Sequence, residues 1–159
     1  MTVSPARTAR QRTQDTLHRL ENDIDLWVAT ADPSSGSPWL VPLSFHWDGN
    51  VVLIATTTNS ATGRNLVAGG QVRLALGETR DVVLIGGEVE RWFPAGEVAV
   101  EVGDTFAARA GFDPRQSASP FLFFEVRPLR IQAWREENEL DGRLLMRDSA
   151  WLDAVATER

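Results

Sequence analysis

The run VVLIATTTNSATGRNL, residues 51–66, passes without a break from a β pattern into a helix start. Its first half is β-branched and apolar, which predicts a strand over 51–57. Asn59 or Ser60 suits a helix N-cap, and Gly69-Gly70 stops the short helix expected over 59–68. A helix start presents unpaired backbone N–H groups at the positive end of the helix dipole, a natural seat for an anion. Ser60 and Thr62 would add hydroxyls there, and Arg64 a planar fork matched to phosphate oxygens. The same residues also suit an ordinary capped surface helix with an exposed arginine, and local chemistry alone leaves both readings open.

Working outward from this run, the pattern is mostly β. Residues 26–31 (LWVATA) read as a strand closed by the turn cluster 32–36, and residues 39–47 as a second strand. Pro42 interrupts the second strand, which predicts an edge position or a bulge. Asp48-Gly49-Asn50 is a hairpin turn leading into the third strand. Upstream, residues 8–22 read as a helix whose thin apolar stripe, Leu17 and Leu20, suggests a place on the surface of a barrel. Downstream, strands over 72–77 and 82–89 flank a turn at 78–81; a helix over 96–110 and a loop over 111–120 follow. Late strands cover 121–126 and 129–134, ahead of a tail containing Arg143, Leu144, Leu145, Met146, Arg147 and Trp151. There is no internal repeat, low-complexity tract or linker. Many short strands with few helices predict a closed or partly closed antiparallel barrel in one domain, 1–159, with an N-terminal helical segment, 1–22.

Composition narrows the chemistry. The chain has 159 residues, 43% hydrophobic and 24% charged, with a formal net charge of −6, so the basic face that a nucleic acid requires is not expected. With no cysteine, thiolate catalysis, disulfides and Cys-based metal sites are excluded. All 16 basic residues are arginine, which excludes a lysine Schiff base. Two histidines, His18 and His46, make a histidine metal centre improbable. The first residues, MTVSPARTARQRTQ, have no apolar run behind their arginines, and no stretch approaches a membrane span; the expectation is a cytoplasmic protein without a membrane partner.

Residues 56–66 resemble the phosphate-binding stretch of the pyridoxamine 5′-phosphate oxidase superfamily of flavin-binding split barrels. Thr56, Ser60, Arg64 and Leu66 match that pattern in register, with Thr62 where lysine is usual. The resemblance continues outward. Asp48 lies eight residues before Thr56, residues 80–86 resemble the strand whose second residue contacts the flavin, and Trp134, Arg143 and Trp151 match a tryptophan–arginine–tryptophan tail. The likeness covers roughly residues 20–152. It implies a mainly β fold with flanking helices, a six-stranded or similar antiparallel Greek-key split β-barrel. It also implies a homodimer whose cofactor site is completed by both subunits.

The resemblance further implies FMN as cofactor and hydride transfer through the flavin to or from a small-molecule redox substrate. Ser60, Thr62 and Arg64 would hold the phosphate; Leu43, Ser44, Thr56 and Asp81 would line the ring or ribityl chain; Trp134 and Arg143 would cap it. No catalytic acid or base stands out, and no metal is called for. The Arg-Leu-His triplet that holds pyridoxal substrates in the true oxidases is replaced by Asn138-Glu139-Leu140, which speaks against vitamin B6 oxidation. The alternative cofactor is the deazaflavin F420, whose acidic tail would need further cations, with Arg7, Arg10 and Arg12 as suppliers. A third reading is a non-catalytic flavin- or haem-binding module, with His46 as the one iron ligand. The tryptophans Trp27, Trp39, Trp47 and Trp92 are expected in core or interface packing.

Overall fold

The computed structural model describes residues 2–153. After a first helix, α1 (Ala9–Asn22), come the strands β1 (Asp25–Ala31), β2 (Pro38–Trp47) and β3 (Val52–Thr57). A short helix, α2 (Ala61–Val67), leads to β4 (Gln71–Leu76) and β5 (Val82–Pro94). Then follow α3 (Val100–Ala110), β6 (Phe121–Trp134), β7 (Leu144–Arg147) and β8 (Ala150–Trp151). The strands are antiparallel in the order β3-β2-β1-β4-β5-β6-β7-β8, and β3 also pairs with β6. That second pairing closes a six-stranded barrel. A meander of three strands with β4 returning beside β1 is the Greek key.

The closing strand is apolar on both faces because both are covered. Val52 and Ile54 point into the barrel core, with Val28, Phe45, Ile85, Phe124 and Ile131. Leu53 and Ala55 point outward into a second cluster with Val98, Phe106 and Phe123. Phe106 of α3 meets Phe123 edge to face, with ring centroids 5.1 Å apart. A continuous apolar run, not an alternating one, is what double burial demands.

Several sequence expectations shift. The strands expected at 121–126 and 129–134 are one strand, β6, which passes a bulge where Gly86 pairs with Arg130 but Gly87 with Pro128. Gly87 leaves no room there for a Cβ, which would press on the Arg127 carbonyl and Val126. Strand β5 runs on to Pro94 past a second irregularity between Val89 and Arg91. Two long strands must bend to belong to one small barrel, and bulges supply the bend. The helix expected over 96–110 is a 3-10 turn at Ala95–Glu97 followed by α3, with Val98 and Ala99 non-helical between them. Pro42 pairs with Trp27, but β2 reaches β3 only through 45–47. At Pro42, β2 therefore has β1 as its one sheet neighbour, which tolerates a residue without an N–H.

Helix α1 is more deeply seated than its two leucines suggest. Arg12, Thr13, Thr16, Leu17 and Leu20 are all buried, and Leu20, fully enclosed, belongs to the barrel core. Threonine methyls and a capping arginine make up much of that inner face, and neither reads as apolar in a sequence. Among the described residues, no helix is long and apolar enough to cross a membrane. Truncating Leu20 to alanine should cost about 2–5 kcal/mol of stability in urea unfolding; a loss below about 1 kcal/mol would show that α1 is not part of the core.

Candidate functional site

The turn from β3 into α2 is built around one hydroxyl. Ser60 is the N-cap: its Oγ accepts from the Gly63 amide (2.9 Å) and donates to the Thr57 carbonyl (2.9 Å), while Thr56 Oγ1 lies 3.1 Å away. A Cβ on Gly63 would run into the Thr57 carbonyl oxygen, so glycine there lets the helix start sit tight on the strand end. Asn65 then ties the helix to β1, its buried Nδ2 donating to Thr30 Oγ1 at 3.1 Å.

Of the residues expected at the phosphate, Thr62 is buried, Ser60 is half-buried and Arg64 is exposed; Thr56, expected at the ring or ribityl chain, is buried beside them. The Ser60 hydroxyl is committed to its own turn. By helix geometry the Ala61 and Thr62 amides have no intrahelical partner. The Arg64 guanidinium donates to the Asn59 carbonyl and faces Asp32, whose carboxyl is held below its ordinary range by the Ser35 and Ser34 amides with help from Arg64. A cleft of about 180 Å³ opens here, lined by Asp32, Ser35, Ser37, Trp39, Arg64 and Asn65 among others. Backbone amides at the helix start, Arg64 and the Ser37 hydroxyl are donors of the kind that suit a phosphate ester, with the Asp32 carboxylate beside them. Asp32 and Asn65 were not among the expected site residues, and Trp39, expected in core or interface packing, is 49% exposed at this cleft; the β1–β2 turn, the start of β2 and the helix face meet only in the tertiary structure.

Three of the remaining expected residues, Asp81, Trp134 and Arg143, gather at the other end of β6. Thr56 pairs with Leu122 near its start, whereas Trp134, at its end, pairs with Val82, next to Asp81. The Arg143 guanidinium carbon lies 5.8 Å from the Trp134 ring centroid, and Arg143 Nη1 donates to the Leu140 carbonyl at 2.9 Å. Asp81 is engaged by arginines: Arg135 Nε at 3.4 Å, and Arg7 and Arg19 each at 3.7 Å. Its charge is thus compensated by the protein itself.

On β2, Ser44 donates to Asp25 (2.7 Å), while Leu43 packs against the barrel core because period two puts its side chain on the same face as Phe45. Trp151 also packs against that core, opposite Met146 across the β7–β8 turn. The cations proposed for an acidic tail are partly spent. Arg7 is bonded to Glu139 and Asp15, and buried Arg12 donates to the Ala133, Glu139 and Asp141 carbonyls. His46 is half-buried, and burial, followed by the nearby Arg109, pushes it below its ordinary value. Among the described residues, no three His, Asp or Glu side chains are grouped to hold a metal.

A closed six-stranded Greek-key barrel with a strand-to-helix cradle and a late Trp–Arg pair is a split barrel of the flavin-binding type. The chain belongs to the pyridoxamine 5′-phosphate oxidase family, whose profile matches residues 17–135. Comparison with curated protein sequences gives no match. Among solved structures it is similar to an F420 reductase (TM-score 0.60, 23% identity, covering 72% of this chain and 93% of that one). It is also similar to a pyridoxamine 5′-phosphate oxidase-related, FMN-binding protein from Nostoc punctiforme (TM-score 0.53, 17% identity, covering 84% and 86%). A third is general stress protein 26 from Bacillus anthracis (TM-score 0.55, 14% identity, covering 80% and 96%).

One carboxylate sets an acid limit on this end of the barrel. Hydrogen bonds from the Arg7 side chain hold the Glu139 carboxyl down at about 2, against an ordinary value of 4.5. A group with a depressed folded-state value contributes stability that is complete above the ordinary value and is lost as pH falls toward the depressed one. Between pH 5 and about 2 the wild-type chain should therefore lose more stability than Glu139→Gln, measured by urea midpoints across that range; parallel curves would remove Glu139 from the acid response.

Proposed function

We propose that this chain is an FMN-binding oxidoreductase that works as a homodimer and passes hydride between a small organic molecule and the flavin. The observation that carries the reading is the phosphate-type donor set at the start of α2, set in a family of flavin-binding barrels. The bound flavin would supply the redox chemistry; the chain supplies position and electrostatics. The Ala61 and Thr62 amides and Arg64 would meet the phosphate, and Arg64 would exchange its attraction to Asp32 for the stronger one to a dianion. The absence of an evident general base among the site residues suits hydride transfer better than hydrolysis.

The spacing of the two groups along β6 supports the dimer reading. Leu122 and Trp134 are joined by about 40 Å of strand contour at the usual rise, more than a mononucleotide spans. The Trp134–Arg143 pair of one copy would meet the cradle of the other. An outward sheet face supports this: Trp27, Leu40 and Leu84 are 43%, 59% and 39% exposed, and Trp27 stands between Pro42 and Ala75 in the register. Contiguous exposed apolar surface of this kind marks an interface, and a second copy is the occupant that completes the site. FMN is favoured over F420 because Arg7 and Arg12 already serve the protein's own carboxylates and carbonyls.

Two measurements test the reading. Titration of the purified chain with FMN and with F420, followed by the visible spectrum, should give uptake of FMN, weakened in Arg64→Ala by about 1.5–3 kcal/mol; uptake of F420 alone, or of neither, would overturn it. Light scattering should give a dimer that Trp27→Glu converts to a monomer with impaired FMN binding. A wild-type monomer holding one flavin per chain would overturn the composite site.

A further inference from the structure

Resting on that cofactor reading, we infer that Glu139 is a positioning residue for the Trp134–Arg143 cap, and that the N-terminal segment carrying Arg7 is the latch that holds it. The loop 135–143 returns Arg143 over Trp134, closing with the Ala133 amide on the Arg143 carbonyl at 2.9 Å. Arg143 reaches the ring by way of the loop itself, through its bond to the Leu140 carbonyl. The shape of the loop therefore decides where the cation lies.

That shape is imposed from residues far away in sequence. The Glu139 side chain is 3% exposed. It accepts from the Arg7 amide (2.8 Å), Arg7 Nε (3.0 Å), Arg7 Nη2 (2.8 Å) and the Arg135 amide (2.9 Å). Asn138 Nδ2 donates to the Ser4 carbonyl at 2.9 Å. From α1, Arg12 Nη1 donates to the Glu139 carbonyl (2.9 Å) and Arg12 Nη2 to the Asp141 carbonyl (3.2 Å).

A short surface turn has no packing need for a buried carboxylate, which is costly unless its lone pairs are met by charged or backbone donors. Here the donors come from both strands of contact at once, so the carboxylate welds residues 4–8 to the turn next to Leu140. Arg7 is anchored in its turn to α1 by Asp15 at 2.9 Å. The N-terminal segment, the turn and the cap then move as one body. A purely structural knot would change stability without reaching the ligand; a latch on the cap must change ligand affinity through Arg143.

A double-mutant cycle separates these. FMN is titrated against the full chain by quenching of flavin fluorescence, for wild type, Glu139→Gln, Arg143→Ala and the double variant, with Arg7→Ala as a second entry to the cycle should Glu139→Gln fail to fold. Glu139→Gln and Arg7→Ala should each weaken FMN binding about tenfold, and by less than about twofold when Arg143 is already alanine. A lowered melting temperature with unchanged FMN affinity, or an undiminished effect in the Arg143→Ala background, overturns the latch. If Arg143→Ala weakens binding and Glu139→Gln does not, the latch alone fails. If FMN binds but neither Trp134→Ala nor Arg143→Ala alters its affinity, or if no FMN binds, the cofactor reading fails and the latch with it.

Discussion

Everything in this structure hangs on the pairing of β3 with β6. Six cross-strand partners, from Val52–Val126 to Thr57–Phe121, convert a sheet with two open edges into a barrel. The pairing works because β3 is wanted on both sides: Ile54 fills the barrel, and Ala55 meets the α3 layer through Phe123 and Phe106. Closure also fixes where β3 stops. The last pair is Thr57 with Phe121, the Thr58 amide still reaches the Pro120 carbonyl, and the chain must then turn. Ser60 caps the helix that results, so the location of the donor cradle is a by-product of barrel closure.

Most of the barrel strands were legible in the sequence because they carry local patterns, whereas β7, β8 and the far end of β5 were not read as strands. Residues 26–31 and 72–76 alternate as half-buried strands should, and Asp48, whose carboxylate accepts from the Asn50 and Val51 amides, announces its turn. Ser60 as cap and Gly69-Gly70 as stop were equally local. What local pattern does not carry is continuity and partnership. Pro128 reads as a break, yet β6 runs through it because a bulge of its own, with Leu129 as the extra residue, keeps it paired with β5. Three of the five buried residues of α1 are threonine or arginine, and only the carbonyls that Arg12 meets at the end of β6 and in the turn after it explain that arginine.

The candidate site divides along the same line. Thr56, Ser60, Thr62 and Arg64 fall together because they lie within one turn of chain, and Trp134 and Arg143 because a hairpin brings them back. Asp81 shows the limit: its position at the start of β5 is evident, but the arginines around it come from α1, the segment before it and the β6–β7 loop. Three distant cations on one carboxylate cannot be read from spacing. They give that end of the barrel an internal charge balance, in contrast to the α2 cradle, where Arg64 donates to the Asn59 carbonyl and lies toward the Asp32 carboxylate.

The ion pairs share one further property: their cation is arginine throughout, from Arg7–Glu139 to Arg115–Asp113 and Arg127–Glu88. The sequence has no lysine, cysteine or tyrosine. Carboxylates are ionised well below neutrality, imidazoles are neutral by about pH 8, and guanidinium groups hold their protons beyond about pH 12. The chain therefore holds none of the side-chain types whose ordinary titration falls in that alkaline stretch. An alkaline titration seen in the colour of a bound chromophore would then point to the chromophore rather than to a lysine, cysteine or tyrosine beside it.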